Sequence, residues 1–209
     1  MTTQTPPATS SADEATIAAY AREAEAYALK ESRGRGLKFL EAIEAELPVG
    51  GRVLDVGCGG GWASKRLADL GFDVDAIDAC PELAAIASRG LPKPARVLSF
   101  DEIEEVSVYD GIIALASLHH APREHLPAVL ARLARALKPG GVLLATVKGG
   151  DGEERDALGR FYAYYSLEAF RAAIDATPGL TCIRHLEARG TDYTGKVNDV
   201  YGILARRTD

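Results

Sequence analysis

The feature that most constrains the fold is a glycine-rich turn that follows a short apolar run. The segment VLDVGCGGG, residues 53–61, places glycines at 57, 59 and 61 between that run and a stretch with helical periodicity. Glycine has no side chain, so the backbone can turn tightly there and approach a ligand closely. The segment therefore predicts a strand, a ligand-binding loop and a helix, in that order.

The same alternation of strand and helix continues along the chain. Strands are predicted at 52–56, 73–77, 96–99, 111–116 and 141–147, with helices at 63–70, 81–88 and 123–137 among them. Two further strands, 180–186 and 197–206, follow a helix at 167–176 and have only a loop between them, so we expect them to pair antiparallel. Continuous apolar strands between helices predict an α/β fold, a three-layer sandwich around a seven-stranded, mostly parallel sheet.

Composition excludes several other classes. The 24 Lys and Arg against 30 Asp and Glu give a net charge of −6, which disfavours a nucleic-acid partner. The longest apolar stretches, 111–118 and 141–147, are far shorter than the ~20 residues that span a bilayer, so no membrane segment is predicted. Three scattered cysteines and four histidines show no ligand spacing, so we expect no metal site. Such sparse cysteine usage predicts a cytoplasmic protein.

Asp78 and Trp62 narrow the kind of ligand. Asp78 follows the next predicted strand, where a carboxylate can accept hydrogen bonds from both ribose hydroxyls. Trp62 stands where nicotinamide and flavin proteins have the third glycine of G-x-G-x-x-G, and no Gly-Lys-Ser or Gly-Lys-Thr of a P-loop follows. Asp55 would repel a pyrophosphate and attract an ammonium group. A nucleoside cofactor that carries an ammonium is therefore favoured.

Four motifs carry a family resemblance. In order along the chain they are LDVGCGGGWAS, IDACPEL, YDGIIALASLHHAP and LARALKPGGVLLATVK. They resemble the motifs of class I S-adenosylmethionine-dependent methyltransferases, and the resemblance covers about Pro48 to Lys148. The segment KGGDGE, residues 148–153, with GRF, residues 159–161, shortly after, is similar to small bacterial members, of the type 11 and tellurite-resistance-like kind. The resemblance implies S-adenosylmethionine as cofactor, S-adenosylhomocysteine as product, and a seventh strand inserted beside the fifth.

The resemblance also assigns cofactor contacts. Asp55, Gly57 and Gly59 would receive the amino-acid portion of the cofactor, and Asp78 its ribose hydroxyls. The Phe100-Asp101 pair is the nearest candidate for the adenine. Where related proteins often have an arginine this chain has Trp62, for which packing is favoured over a role as a cation-binding face. The predicted cofactor-binding residues are Asp55, Gly57, Cys58, Gly59, Gly61, Asp78, Ala79, Phe100, Asp101 and Ala116.

Two histidines are the candidate catalytic residues. His119 and His120 follow the fourth predicted strand, at the edge where open parallel sheets bind ligands. Either could be a general base, with His119 favoured, or could fill space and bond the backbone. Strand-like alternation predicts that they do not both point inward. His125 and His185 are expected to be structural or solvated.

Substrate contacts are predicted beyond the fifth strand and in the first helix. The candidates are Tyr20, Lys148, Arg160 and Tyr162. The alternative is that the charged segment 148–160 is a solvated loop and the tyrosines only pack. A capping box, Ser11 with Glu14, predicts a helix to about Lys30, and a second helix spans 37–47.

The predicted organisation is a disordered tail, 1–10, and one domain, 11–209. Within that domain, 11–47 would form a helical lid, 48–148 the cofactor-binding core, and 149–209 the substrate-side loop, helix and antiparallel hairpin. The predicted function is methyl transfer to a heteroatom of a small molecule, by a monomer or homodimer. Three alternatives stay open: a tRNA-modifying methyltransferase, a module that holds the cofactor without catalysis and, ranked last, a nicotinamide-dependent dehydrogenase.

Overall fold

The structure, a computed structural model, describes residues 10–31, 36–191 and 195–209. Apart from Ser10, the predicted disordered tail lies outside the described residues. The helices are α1 (Glu14–Arg22), α2 (Ala24–Glu31), α3 (Leu37–Glu44), α4 (Trp62–Asp69), α5 (Pro81–Ser88), α6 (Leu126–Ala136) and α7 (Leu167–Asp175). The strands are β1 (Arg52–Val56), β2 (Asp73–Asp78), β3 (Arg96–Val97), β4 (Tyr109–Ala114), β5 (Leu137–Lys148), β6 (Glu153–Arg155), β7 (Phe161–Ala163), β8 (Leu180–Thr191) and β9 (Val197–Arg207).

Seven of these strands form one sheet, in the order β3-β2-β1-β4-β5-β9-β8. The first five strands of that order are parallel, and β9 runs antiparallel to both β5 and β8. The predicted α/β class, the mostly parallel sheet and the insertion of the seventh strand beside the fifth are confirmed. Because parallel strands end at the same edge, the segments after β1, β2, β4 and β5 meet on one side of the molecule.

Helices cover both faces of the sheet, which makes the predicted three layers. On one face, α6 and α7 bring Val129 and Phe170 into a core with Leu54 of β1. On the other face, Phe39 of α3 packs in a core with Val53, the neighbour of Leu54. Successive residues of a strand point to opposite faces, so a short apolar run can serve both cores at once.

The N-terminal helix differs from its prediction. Asp13, not Ser11, caps α1, and its carboxylate accepts from the Thr16 N–H at 2.7 Å. The Ser11 N–H instead donates to Asp101 at 2.8 Å. A non-helical Glu23 separates α1 from α2, so the predicted single helix is two. The capping box would pair the Ser11 N–H with Glu14. The carboxylate of Asp101, a residue distant in sequence, binds this N–H instead.

The segment after β5 also differs from its prediction as a loop. Strands β6 and β7 form a small antiparallel hairpin there, with Glu153 opposite Ala163 and Arg155 opposite Phe161. The residues of β6 are charged and exposed, so they show none of the apolar alternation by which strands are predicted. The hairpin lies on the side of the sheet where the candidate site residues gather.

Candidate active site

The glycine loop is fixed by hydrogen bonds to the neighbouring strand. The N–H groups of Gly57 and Cys58 both donate to the Ile77 carbonyl, at 2.9 Å. Gly57 has a φ of 71°, and a Cβ there would lie 2.5 Å from the Cβ of Ser117. Only glycine fits such a backbone at such a distance. The loop therefore passes close to the end of β4 with its backbone facing a cavity.

Asp78, at the end of β2, holds the same loop through its carboxylate. Its Oδ2 accepts from the Gly59 N–H and its Oδ1 from the Cys80 N–H, each at 2.8 Å. Desolvation raises the pKa of Asp78, although both hydrogen bonds favour the ionised form. Each carboxylate oxygen can accept a second hydrogen bond. Asp78 can therefore bind a pair of ligand hydroxyls without releasing the loop.

A cavity beside this carboxylate, the Asp78 cavity, lies between the sheet edge and the N-terminal helices. Six of the ten predicted cofactor-binding residues line it: Gly57, Gly59, Asp78, Ala79, Phe100 and Ala116. From the N-terminal segment, its wall includes Thr16, Ile17, Tyr20 and Tyr27. The glycine loop, Asp78 and the aromatic residue Phe100 thus surround one space, and helices α1 and α2 lie on its other side.

Asp55 lies behind the glycine loop and not in the cavity wall. Its side chain is 2% exposed, and its carboxylate accepts from the Ser64 hydroxyl at 2.5 Å. Burial raises the pKa of Asp55 to about 7, and the nearby Asp78 charge adds to the shift. In this structure the Asp55 carboxylate contacts Ser64 and does not line the cavity, so its role toward a cofactor stays a prediction. Asp55 instead joins β1 to helix α4.

Three other predicted contacts also lie outside the wall. Cys58 is buried, and a Cβ at Gly61 would meet Ala87 at 2.8 Å, so both face the protein interior. The Asp101 carboxylate accepts from the Ser10 hydroxyl at 3.0 Å and from the Ser11 N–H. Of the Phe100-Asp101 pair, Phe100 lines the cavity and the Asp101 carboxylate holds the N-terminal segment.

Ala116 has a backbone conformation that is rare for a residue with a side chain. Its φ is 53°, and its N–H donates to the Thr146 hydroxyl at 2.8 Å. A left-handed conformation at a non-glycine residue is strained and persists where the surroundings fix it. Ala116 lines both the Asp78 cavity and a second, larger cavity. The strained residue therefore lies where the two spaces adjoin.

His120 uses both of its ring nitrogens within the protein. Its Nδ1 lies 2.7 Å from the Phe161 carbonyl, which can only accept, so Nδ1 carries the proton. Its Nε2 then accepts from the Tyr20 hydroxyl, at 2.9 Å. Loss of solvation lowers the pKa of His120 to about 4, and burial raises that of Tyr20 to about 12. His120 therefore fixes Tyr20, with both of its ring nitrogens in hydrogen bonds within the protein.

His119 is placed differently. It is 2% exposed, lines the larger cavity, and its Nδ1 has no hydrogen-bond partner among the described residues. Burial, with the charges of Lys148 and Arg160, holds its pKa well below the usual range. The rings of His119 and His120 lie 4.5 Å apart and each residue lines one of the two cavities, so the expectation that only one would point inward is wrong. The two residues lie in a 3₁₀ turn, not in a strand.

The larger cavity, of about 570 Å³, is here named the Lys148 cavity. All four predicted substrate-contact residues, Tyr20, Lys148, Arg160 and Tyr162, lie in its wall. The Lys148 ammonium lies 3.9 Å from the centre of the Tyr162 ring. Arg160 is 2% exposed, pairs with Asp156 at 2.6 Å, and lies over the ring of Tyr20 at 5.1 Å. The aromatic and cationic side chains of this cavity wall are thus packed against one another.

Two residues of the site escaped the sequence prediction. The Glu31 carboxylate, at the end of α2, accepts from the Gly60 N–H of the loop at 2.7 Å and lies in the wall of the Lys148 cavity. Nothing in its sequence surroundings distinguishes it from other helical glutamates. Trp62, expected to pack, does pack beside the core around Phe39 and also contributes to this wall.

Helix α1 is attached to the small hairpin by polar contacts. The Arg155 guanidinium pairs with the Asp13 carboxylate through two bonds, of 2.7 and 2.9 Å. The Phe161 N–H donates to the Thr16 hydroxyl at 2.8 Å. With the bond between Tyr20 and His120, these contacts hold α1 against the site and are here called the α1 latch.

Metal-binding clusters and membrane-spanning helices are both absent from the described residues. No group of three or more histidine, cysteine, aspartate or glutamate side chains in this part of the chain could hold a metal ion. None of the helices in the described ranges has the length and apolar character to cross a membrane.

Comparison with known proteins gives the class of the chain. A family model described as a methyltransferase domain matches residues 20–187. The crystal structure of 1,6-didemethyltoxoflavin-N1-methyltransferase from Burkholderia thailandensis, with S-adenosylhomocysteine bound, superposes with a TM-score of 0.77 at 20% identity, covering 99% of this chain and 94% of that one. A methyltransferase from Methanosarcina mazei gives 0.70 at 19% identity, covering 80% and 97%. Likeness at such identities concerns the fold.

The chain belongs to the methyltransferase-domain family and has the fold of class I S-adenosylmethionine-dependent methyltransferases. A ubiquinone biosynthesis O-methyltransferase of Xanthomonas axonopodis pv. citri is 40% identical over 112 residues, which cover 50% of this chain and 46% of that protein. The chain thus spans about half the length of the curated relatives that it matches. The predicted family, and its cofactor S-adenosylmethionine, are confirmed at this level.

Proposed function

We propose that the protein transfers a methyl group from S-adenosylmethionine to a heteroatom of a small molecule. The observation that carries this proposal is the junction at Ala116, where the Asp78 cavity adjoins a second cavity of about 570 Å³. The first has the features of a nucleoside site, and the second has room for an acceptor. S-adenosylmethionine carries the methyl group on a positively charged sulfonium sulfur. When the methyl group is transferred, this sulfur leaves readily as the neutral thioether of S-adenosylhomocysteine.

The residues of the Asp78 cavity fit this cofactor. Asp78 would accept from the ribose hydroxyls, since both of its oxygens have lone pairs left after binding the loop. Gly57 and Gly59 have no side chains, so their backbone would lie close to the amino-acid portion of the cofactor. A Cβ at Gly57 would collide with Ser117. Phe100 would pack against the adenine from the cavity wall.

The acceptor would bind in the Lys148 cavity. Methyl transfer requires chiefly that the nucleophile be aligned and water excluded, because no strong activation of the leaving group is needed. His119 fits the aligning role, since its unpartnered Nδ1 is buried beside this cavity and the ring is neutral. His120 would act indirectly, by positioning Tyr20 in the wall that the two cavities share.

The N-terminal helices would act as a lid. Helix α1 supplies Thr16, Ile17 and Tyr20 to the wall of the Asp78 cavity. A ligand held in that cavity is therefore covered by α1 and by the α1 latch. Release of the product would require these contacts to open, as lids do in many enzymes.

Titration calorimetry with S-adenosylhomocysteine tests the proposal, with NADH as the control ligand. We expect S-adenosylhomocysteine alone to bind, at one site. Asp78→Ala should weaken binding by about 1–3 kcal/mol, because charge-assisted hydrogen bonds to the ribose are lost. Asp69→Ala is the matched control, since Asp69 is exposed on α4 and pairs with Lys65. Binding of NADH, or equal affinities for wild type and Asp78→Ala, would contradict the assignment.

A cofactor-binding protein without catalysis is the second candidate. It rests on two observations: both ring nitrogens of His120 are engaged within the protein, and burial holds the pKa of His119 well below its usual range. Incubation with methyl-labelled S-adenosylmethionine and a panel of small acceptors separates the two candidates. Transfer of label supports the enzyme, whereas binding without transfer to any acceptor supports the module.

A further inference from the structure

Helix α2 lies directly on the glycine loop. The Glu31 carboxylate, at the end of α2, accepts from the Gly60 N–H at 2.7 Å. A Cβ added at Gly60 would lie 2.6 Å from the Cβ of Ala28, and one added at Gly59 would lie 2.6 Å from Oε2 of Glu31. Side chains at these two glycines would therefore collide with α2, so their absence brings the Glu31 carboxylate against the loop.

Gly59 lies between two carboxylates. Its N–H donates to Asp78 at 2.8 Å, and the position that its side chain would take is next to Glu31. Asp78 and Gly59 are in the wall of the Asp78 cavity, whereas Glu31 is in the wall of the Lys148 cavity. A ligand that is bound through its ribose at Asp78 and extends along the loop past Gly59 therefore approaches the Glu31 carboxylate.

Charge decides which part of such a ligand is favoured there. The amino-acid portion of the cofactor bears both an ammonium and a carboxylate. In the described part of the chain, the wall of the Asp78 cavity contains Asp13 and Asp78 but no lysine or arginine, and Asp13 is paired with Arg155. A carboxylate that follows the loop from this cavity is repelled by Glu31, whereas an ammonium is attracted. The hydrogen bond from the Gly60 N–H is made by a neutral donor, so it leaves the charge of Glu31 in place.

We propose that Glu31 binds the ammonium of the cofactor, and that the chain recognises the amino-acid portion by this group and not by its carboxylate. The proposal rests on the proposed function, because it names a specificity-determining residue of the same site. Since Glu31 is the last residue of α2, the contact would also join the cofactor to a helix of the proposed lid.

Two analogues of S-adenosylhomocysteine test the preference. S-adenosylthiopropylamine keeps the ammonium and lacks the carboxylate, and S-adenosylthiobutanoate keeps the carboxylate and lacks the ammonium. Each is titrated at neutral pH into the full chain. We expect the amine to bind about tenfold more tightly, the effect of one charge-assisted hydrogen bond. Equal affinities would overturn the proposal, and so would tighter binding of the butanoate, which would assign recognition to basic residues of the Lys148 cavity wall.

Variants of two glutamates on α2 locate the effect. Glu31→Gln removes the charge and keeps an oxygen that can accept from the Gly60 N–H, so it should lose most of the preference for the amine. Glu25→Gln is the control, because it makes the same change in charge on the same helix, at an exposed residue that pairs with Arg89 outside both cavity walls. A preference that is undiminished in Glu31→Gln would overturn the assignment.

Methylthioadenosine, which has no amino-acid portion, separates recognition from a structural role. Its affinity should be the same in wild type and Glu31→Gln. If its affinity falls as far as that of the amine, Glu31 only holds the loop and the proposal is wrong. S-adenosylhomocysteine is titrated first: a wild type that does not bind it contradicts the proposed function, whereas one that binds it without preferring the amine contradicts only the role of Glu31.

Discussion

Individual residues of the site are constrained by space as well as by backbone conformation, and Gly57 shows the difference. Gly57→Ala adds a Cβ that would lie 2.5 Å from that of Ser117, at a φ of 71°. Gly140 has a φ of 79° and no neighbour within 4 Å of an added Cβ, so Gly140→Ala reports conformational strain alone. We expect Gly140→Ala to cost about 1 kcal/mol of stability and Gly57→Ala to cost ~2 kcal/mol more.

Chemical denaturation measures both glycine variants, and calorimetry measures their binding of S-adenosylhomocysteine. Gly57→Ala should lose most of its affinity, because either the loop or Ser117 must move. Gly140→Ala should bind as wild type does. Equal losses of stability in the two variants would show that contact with Ser117 is not the constraint.

Asp55 should make the stability of the protein depend on pH. Its folded-state pKa is raised from 3.8 to about 7, so the folded chain holds a proton that the unfolded chain loses. This contribution is fully present below the unfolded pKa and is lost as pH rises through about 7. It amounts to at most about 4 kcal/mol. Asp55→Asn keeps a side chain of the same size and removes the titration.

Denaturant unfolding at pH 5 and pH 8 tests this contribution. The quantity of interest is the stability of wild type minus that of Asp55→Asn, because other titrating groups cancel in the difference. We expect this difference to fall between the two pH values. A difference independent of pH would mean that Asp55 ionises normally in the folded protein.

At the scale of elements, the α1 latch should govern how fast a ligand leaves. Arg155→Gln breaks the ion pair with Asp13 and leaves that carboxylate to cap α1. Exposed ion pairs contribute about 0.2–1 kcal/mol, so we expect S-adenosylhomocysteine to dissociate up to about fivefold faster. Arg171→Gln is the control, because Arg171 pairs with Asp175 on α7 away from both cavities.

Stopped-flow displacement measures both dissociation rates. Added salt should reduce the difference in dissociation rate between wild type and Arg155→Gln, since salt screens the exposed ion pair. If the rate is unchanged in Arg155→Gln at low salt, the helix does not limit release.

Elements differed in how far the sequence determined them. The predicted bounds of β1 and α5 match those of the structure, because each element has a local signal in the sequence. An apolar run that ends at a glycine marks β1, and a proline in the first helical turn marks α5. Hairpin β6–β7 was missed, since its charged residues carry no such pattern. The start of α1 was misplaced because Asp101, distant in sequence, binds the Ser11 N–H.

At the scale of the whole molecule, the sequence predicted which segments meet but not how their side chains are used. Parallel topology alone brings Asp78, His119 and Lys148 to one edge of the sheet. That His120 is occupied by Tyr20 and Phe161, or that Glu31 reaches Gly60, depends on where α1, α2 and the hairpin are placed. Those placements are tertiary, so no periodicity of the chain encodes them.

Charge is also distributed on this scale. The chain has a net charge of −6, whereas the described part of the Lys148 cavity wall has five basic residues and one acidic residue.

Trp62 gives the protein a built-in optical reporter. It is the only tryptophan in the sequence, and its indole lies in the wall of the Lys148 cavity. Its fluorescence therefore originates beside this cavity and from no other tryptophan, so we expect a ligand that enters the cavity to change the emission. A compound library can be screened by the change in emission alone, before any reaction product is known.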